Sequence, residues 1–177
     1  KKALTEAMDR RHQPGRVTDG IWKGSYRVQR SLKKTPLVSI IIPFKDKPDI
    51  LKVCLESIFS KATYKNYEIL LIDNRSVEAE TATYLESLKT NPQIQIFRYD
   101  APFNFAAINN YAAEKAKGEI LILLNNDTEV ISPDWIESML EHAMRQEVGI
   151  VGAKLIYPNN TVQHAGVLIG VGGVANH

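Results

Sequence analysis

The chain of 177 residues has a single cysteine, Cys54, so no internal disulfide can form, and this fits a reducing compartment. No apolar run approaches the roughly 18–20 residues that a membrane span requires. There is no signal-peptide pattern and no initiator Met, and the sequence stops abruptly at "GVANH". These features are expected of a piece of a longer protein of the cytoplasm, at most touching the inner face of the cell membrane. A Walker A loop is also missing, and no Ser–His–Asp or Cys–His arrangement can be argued from spacing. Three N-x-[ST] sequons, at Asn74, Asn126 and Asn159, are read as coincidence.

What is present describes one globular domain: 44% of residues are hydrophobic and 24% charged, enough for a sizeable core. The net charge of +2 hides an asymmetry: residues 1–34 carry ten Lys/Arg against three acids, and the remainder 12 against 17. The basic arm, 1–34, reads as a solvated linker from a preceding region that buries little and is dispensable for folding. Its charge suits an anionic membrane surface or a lipid phosphate. It lacks the interleaved aromatics of a nucleic-acid binder, and no nucleic-acid partner is expected.

From residue 35 onward, apolar runs alternate with amphipathic stretches. "LVSIIIP" (37–43) predicts a strand buried on both faces. Ile50, Leu51, Cys54, Leu55, Ile58 and Phe59 form one helical stripe behind Pro48, which places Cys54 in a packed interface. "YEILLID" (67–73), "IQIFRY" (94–99) and "EILILL" (119–124) predict further strands. Between them lie a helix capped by Ser76 and an Ala-rich helix with Gly118 as its stop. "SPDWIESMLEHAMRQ" predicts a helix capped by Ser132, and 149–157 and 167–170 predict later strands. This alternation predicts an α/β fold with a mostly parallel sheet flanked by helices. Such sheets bind ligands at the carboxyl ends of their strands.

That rule brings three polar clusters to one rim: Pro43–Lys47, Asp73–Ser76 and Asn125–Thr128. Asp73 could accept hydrogen bonds from a ribose or a base, or close an Asx-turn within "DNRS". Asp127 could ligate a hard divalent cation, or simply serve a turn. "GVGGVA" (170–175) matches a dinucleotide fingerprint, but neither a helix nor the expected acid follows it. His164 reads as a structural histidine near a strand.

Taken in order, "PLVSIIIPFKDKPDILKVCLESI", "YEILLIDNRS", "PFNFAAINNYA" and "GEILILLNNDTEVISPDWIE" resemble the inverting family 2 glycosyltransferases of the GT-A fold. The subgroup resembled is bacterial and makes O-antigen and other cell-surface polysaccharides. The likeness runs from about Thr35 to His177. It implies that 35–177 is the donor-binding portion of a GT-A domain, incomplete at its C-terminus. The implied reaction is transfer from a nucleoside-diphosphate sugar to a saccharide or lipid-linked acceptor; a non-catalytic nucleotide-sugar-binding module is the alternative.

The resemblance also implies site residues. The family's D-x-D motif stands here as Asn125-Asn126-Asp127. Asp127 matches the acid that ligates Mg²⁺ or Mn²⁺, while Asn125 replaces the first acid and adds no charge. Pro43 and Phe44 match the turn that lies along the base, with Asp46 close by, and Asp73 matches the acid at base or ribose. Asn104 and Asn109 fall in the segment leading to the fourth strand and are implied in donor binding. The family's catalytic base follows a later strand, and is expected beyond His177.

Overall fold

The computed structural model describes residues 1–170, 173, 175 and 176. Two compact units divide the chain: Lys1–Lys33 with Ile136–His177, and Lys34–Trp135. The arm expected to be a solvated linker is folded. It forms helix α1 (Lys2–Arg10) and an antiparallel hairpin of β1 (Gly15–Asp19) and β2 (Tyr26–Arg30). Val17 pairs with Val28, and Val17 and Met8 are buried. Gly15 is needed for the close approach of α1, since a Cβ there would lie 2.2 Å from the Gln29 carbonyl oxygen and 2.6 Å from Met8 Cε. Sequence periodicity missed the hairpin because each strand contributes one inward valine among polar residues. The Arg30 N–H also donates to Glu141 Oε2 at 2.6 Å, and Arg27 donates to Ser138 Oγ at 2.9 Å. Deleting residues 1–30 is therefore expected to lower Tm by roughly 5 °C, the scale of one or two kcal/mol in a chain of this size. An unchanged melting temperature would return the segment to a linker.

The other unit carries β3 (Val38–Phe44), α2 (Pro48–Lys61), β4 (Tyr67–Asp73), α3 (Ala79–Leu88), β5 (Ile94–Arg98), α4 (Phe105–Ala113) and β6 (Ile120–Leu123). Its four strands form one parallel sheet in the order β5-β4-β3-β6. Successive strand residues point to opposite faces, so unbroken apolar runs require cover on both. Ile40, Ile41 and Ile42 of β3 and Ile69 through Ile72 of β4 are all fully buried. Ile41, Leu70 and Ile72 pack with Ile108 and Ala112 of α4, and Leu51, Cys54, Leu55 and Ile58 of α2 are equally buried.

A buried carboxylate ties the opposite end of the sheet from the ligand rim. Glu68 accepts from Ser39 Oγ (2.7 Å), the Lys117 N–H (2.7 Å) and Gln95 Nε2 (2.6 Å). The Gly118 N–H donates to Ser39 Oγ at 2.9 Å. Gly118 is not the helix stop expected of it, because α4 ends at Ala113. Its role is close approach: a Cβ would meet Ser39 N at 2.6 Å and Leu37 O at 2.7 Å. Ser76 likewise does not cap α3, whose N-cap is Glu78.

Helix α5 (Trp135–Ala143) buries Ile136 and Leu140. Beyond it come two antiparallel pairs, β7 (Leu155–Ile156) with β8 (Val162–His164) and β9 (Leu168–Ile169) with β10 (Ala175–Asn176). The strand expected over 149–157 is regular only at Leu155–Ile156. Ile150 is 93% exposed, so its apolar run lacks the cover that would hold it extended. His164 pairs in register with Leu155. Of the "GVGGVA" stretch, Val171, Gly172 and Val174 lie outside the described residues. Among the described residues no helix is long and apolar enough to cross a membrane.

Candidate functional site

Strand register builds the rim. Phe44 is the partner of Asp73, and Asp73 of Arg98, so β3, β4 and β5 end side by side. Ile41 pairs with Leu123, and the Leu124 N–H continues the ladder to the Ile41 carbonyl at 2.9 Å. The Asn125–Thr128 turn therefore leaves the sheet beside the end of β3.

This turn is held by its backbone. The Thr128 N–H (3.3 Å) and hydroxyl both donate to the Asn125 carbonyl. The Cys54 thiol of α2 lies 3.9 Å from that oxygen, and Ser57 Oγ accepts from the Val130 N–H at 2.9 Å. Burial, with the Asp127 charge nearby, pushes the Cys54 thiol up to about 12, so it stays protonated and inert. The side chains of Asn125, Asn126 and Asp127 make no hydrogen bond or ion pair among the described residues, and Asn125 and Asp127 are exposed. Glu129 is drawn away, 2.8 Å from Lys61 Nζ. The turn thus presents two amides and one carboxylate that bind nothing among the described residues. All are hard oxygen donors of the kind Mg²⁺ and Mn²⁺ accept, and such ions are commonly held by one or two carboxylates plus substrate phosphates. No cluster of three or more His, Cys, Asp or Glu able to hold a metal occurs among the described residues.

Asp73 is 5% exposed. Its Oδ1 accepts the Ser76 N–H at 2.8 Å, and Oδ2 accepts Arg98 Nη1 at 2.9 Å. The Asx-type turn and a rim position are both realised. Arg98 is the residue that sequence reading missed; the signal was a cation closing a strand at the ligand end, in "IQIFRYD". It also bonds Asp100 at 3.0 Å. Asp73, Ser76, Glu78, Leu85 and Arg98 line a cavity of about 160 Å³. Asn74 fixes the neighbouring loop by donating to the carbonyls of Tyr99 (3.1 Å) and Ala101 (2.8 Å).

Asp46 and Lys47 both have φ of 53°, and Arg75 has 66°. Left-handed backbone at non-glycine residues is costly and persists where the surroundings enforce it. Here Asp46 Oδ1 accepts the N–H groups of Val77 (2.8 Å) and Glu78 (3.0 Å), while the Asp46 N–H donates to Ser76 Oγ at 2.7 Å. Those amides, that of Glu78 above all, hold the Asp46 carboxyl below its ordinary 3.8. A depressed folded value gives stabilisation that is complete above the ordinary value and is lost as pH falls through the lower one. Protection of the Val77 and Glu78 amides against hydrogen exchange, taken relative to the intrinsic rate at each pH, is expected to fall in the wild type as pH drops below 3.8. Asp46→Asn should flatten that acid dependence; identical acid profiles would contradict the clamp.

Of the other candidate residues, Phe44 and Asn109 are buried and Asn104 is exposed at a helix cap. The Phe44 ring is buried, and its carbonyl accepts the Asn74 N–H at 2.8 Å. Asn104 caps α4, accepting the Ala107 N–H at 3.0 Å. Asn109 is buried within α4, donating to the Phe105 carbonyl at 2.8 Å, with Oδ1 unpartnered among the described residues. Pro43, Asp73, Asn125, Asn126 and Asp127 are the ones brought to the strand ends, with Asp46 clamping the loop beside them.

A parallel sheet flanked by helices, with polar groups gathered at the carboxyl ends of its strands, is an α/β architecture of the kind that binds ligands at that edge. The sequence profile of glycosyl transferase family 2 matches residues 39–168, and the chain belongs to that family. It is 44% identical over 176 residues to the O-antigen biosynthesis protein RfbC of Myxococcus xanthus, covering 99% of this chain and 14% of that protein. It thus spans about a seventh of that relative. Among solved structures, the mannosyltransferase PcManGT of Pyrobaculum calidifontis in complex with GDP-Man and Mn²⁺ superposes with a TM-score of 0.60 at 20% identity, over 66% of this chain and 35% of that one. GalNAc-T7 with UDP, GalNAc and Mn²⁺ gives 0.57 at 23% identity, over 63% and 21%.

Proposed function

We propose that this domain binds a nucleoside-diphosphate sugar at the rim of Pro43, Asp73 and Asn125–Asp127. The sugar passes to a saccharide or lipid-linked acceptor, with inversion, in the synthesis of O-antigen or a related cell-surface polysaccharide. The observation that carries the reading is the Asn125-Asn126-Asp127 turn at the mouth of β6, whose side chains have no bonded partner among the described residues, in a chain of family 2. The protein is proposed to act in the cytoplasm, at the inner face of the cell membrane.

Asp73 and Arg98 form the edge that meets the base and ribose. Both Asp73 oxygens already accept one bond, and each keeps a lone pair for a donor ligand. Asp127 holds the divalent cation, with Asn125 and Asn126 bonding its water shell or the ribose. When bound, the cation offsets the charge that grows on the departing diphosphate. The N-terminus of α2, opened by Pro48 at the rim, adds a partial positive charge on the same side. The exposure of Asn125 and Asp127 lets them meet the diphosphate without rearranging the core.

Asp73→Ala is expected to weaken nucleoside-diphosphate binding by about 1–3 kcal/mol, the cost of leaving partners unsatisfied. Isothermal calorimetry across UDP, GDP and dTDP measures this and also identifies the base. An unchanged dissociation constant for the best of the three would remove Asp73 from the site.

A further inference from the structure

The turn between β1 and β2 presents two large apolar side chains to solvent. Ile21 is 93% exposed and Trp22 75%. They are not on a floppy loop. The Gly20 N–H donates to the Ser25 carbonyl at 2.9 Å, and the Ser25 N–H donates to the Trp22 carbonyl at 3.0 Å. The Ser25 hydroxyl accepts the Trp22 N–H at 3.1 Å and donates to the Trp22 carbonyl at 2.7 Å. Val17 of the hairpin and Met8 of α1 are spent inside the unit. The folded segment therefore holds Ile21 and Trp22 outward at its extremity, where they contribute nothing to its core.

The surroundings of the tip are cationic. Lys23 lies within the turn; farther along the hairpin Arg16 Nε donates to Gln29 Oε1 at 2.7 Å and Arg27 to Ser138 Oγ at 2.9 Å, so of these three Lys23 is the cation carried by the tip itself. Of the three acids in residues 1–34, against ten Lys/Arg, Asp19 is held by Lys1 at 2.9 Å and Glu6 is approached by Lys2 at 3.8 Å. An indole and a branched aliphatic side chain beside a lysine, on a segment of net positive charge, suit an interface with an apolar interior and an anionic surface. Trp favours the headgroup level of a bilayer, and each nearby cation adds attraction to anionic lipid.

We propose that the β1–β2 tip docks on an anionic phospholipid bilayer, inserting Ile21 and Trp22 between headgroups while Lys23 faces lipid phosphates and the net positive charge of residues 1–34 adds attraction. This deepens the reading of a domain at the membrane face, and it supplies a specific contact where net charge alone gave only attraction. The tip belongs to the unit that does not carry the donor rim, so lipid binding and nucleotide binding can be measured independently.

The test is co-sedimentation of the chain with vesicles of phosphatidylglycerol and phosphatidylethanolamine, against phosphatidylcholine alone, with tryptophan fluorescence as a second readout. The background is Trp135→Phe, which leaves Trp22 as the only indole. Binding to the anionic vesicles alone is expected, with a blue shift of Trp22 and quenching by brominated lipid. Ile21→Ser with Trp22→Ser should weaken sedimentation by about a hundredfold or more, the scale for losing the burial of two large apolar side chains. Both side chains are exposed, so the fold should persist, and UDP or GDP affinity of the double variant should equal that of wild type. Lys23→Glu should weaken binding more than fivefold, since one cation near such a surface contributes about that factor. Absence of vesicle binding would overturn the proposal, as would binding without a Trp22 shift or binding indifferent to the double variant. A tip shielded instead by an acidic protein, with no lipid binding, would also overturn it. Loss of nucleotide binding with lipid binding intact would count against the glycosyltransferase reading and leave the lipid contact standing.

Discussion

Glu68→Ala is expected to destabilise the domain by about 3–5 kcal/mol, because it strips an acceptor from three buried or half-buried donors at once, each worth ~1–3 kcal/mol when left unsatisfied. Glu68 lies in β4 and joins Ser39 of β3, Gln95 of β5 and the Lys117 amide ahead of β6. One carboxylate therefore stitches together all four strand entrances. The Lys117 amide is part of the backbone and cannot turn to another partner. Urea unfolding should show a midpoint lowered by roughly 2 M, given the usual slopes for a chain of this size. Glu68→Gln should cost much less: its amide oxygen can still accept from Ser39 and Lys117, and the Gln95 amide can rotate to offer its own oxygen. A loss for Ala no larger than for Gln would mean that water or relaxation replaces the network.

Asp127→Asn is expected to produce the opposite pattern, with stability kept and function lost. Asp127 is exposed and bonded to nothing among the described residues, so the change in stability should fall within about 0.5 kcal/mol. Affinity for a nucleoside diphosphate in the presence of Mn²⁺ should fall by about 10–100-fold or more, since even changes one shell further from a metal typically cost that much. No neighbour can substitute. Glu129 is committed to Lys61, and Asn125 offers no charge where the family motif has an acid. Equal affinity for variant and wild type would make the turn a structural feature and move the diphosphate elsewhere.

Much of the fold was legible because the central strands obey a simple rule. "VSIIIPF" and "YEILLID" are continuous apolar runs, and burial on both faces is the only economical home for them. The rim followed, since parallel strands deliver their ends to one edge. The partners of the rim residues were not legible. Asp73 meets Arg98 across a strand pair, 25 positions away in sequence, and only the register of β4 and β5 reveals it. Phe44 was expected with Pro43 in the turn along a base, and the burial of its ring was not legible. Gly118 read as a helix stop, whereas its need for a missing Cβ comes from the backbone of β3, far off in sequence. The hairpin at 15–30 carries one inward valine per strand, too sparse a pattern to register as periodicity, and the exposed tip then looked like linker.

The central claim, that Asn125-Asn126-Asp127 grips a donor diphosphate through a divalent cation, is tested most directly by one calorimetric experiment. Nucleoside diphosphate is titrated into the wild-type chain and into Asp127→Asn, each with Mn²⁺ and again with excess chelator. With a single motif carboxylate the cation should bind poorly until the diphosphate supplies further oxygens. The account predicts that chelator weakens binding to wild type and leaves Asp127→Asn unaffected. Equal binding to wild type with and without chelator would contradict it, and would leave the three side chains acting as hydrogen-bonding groups alone.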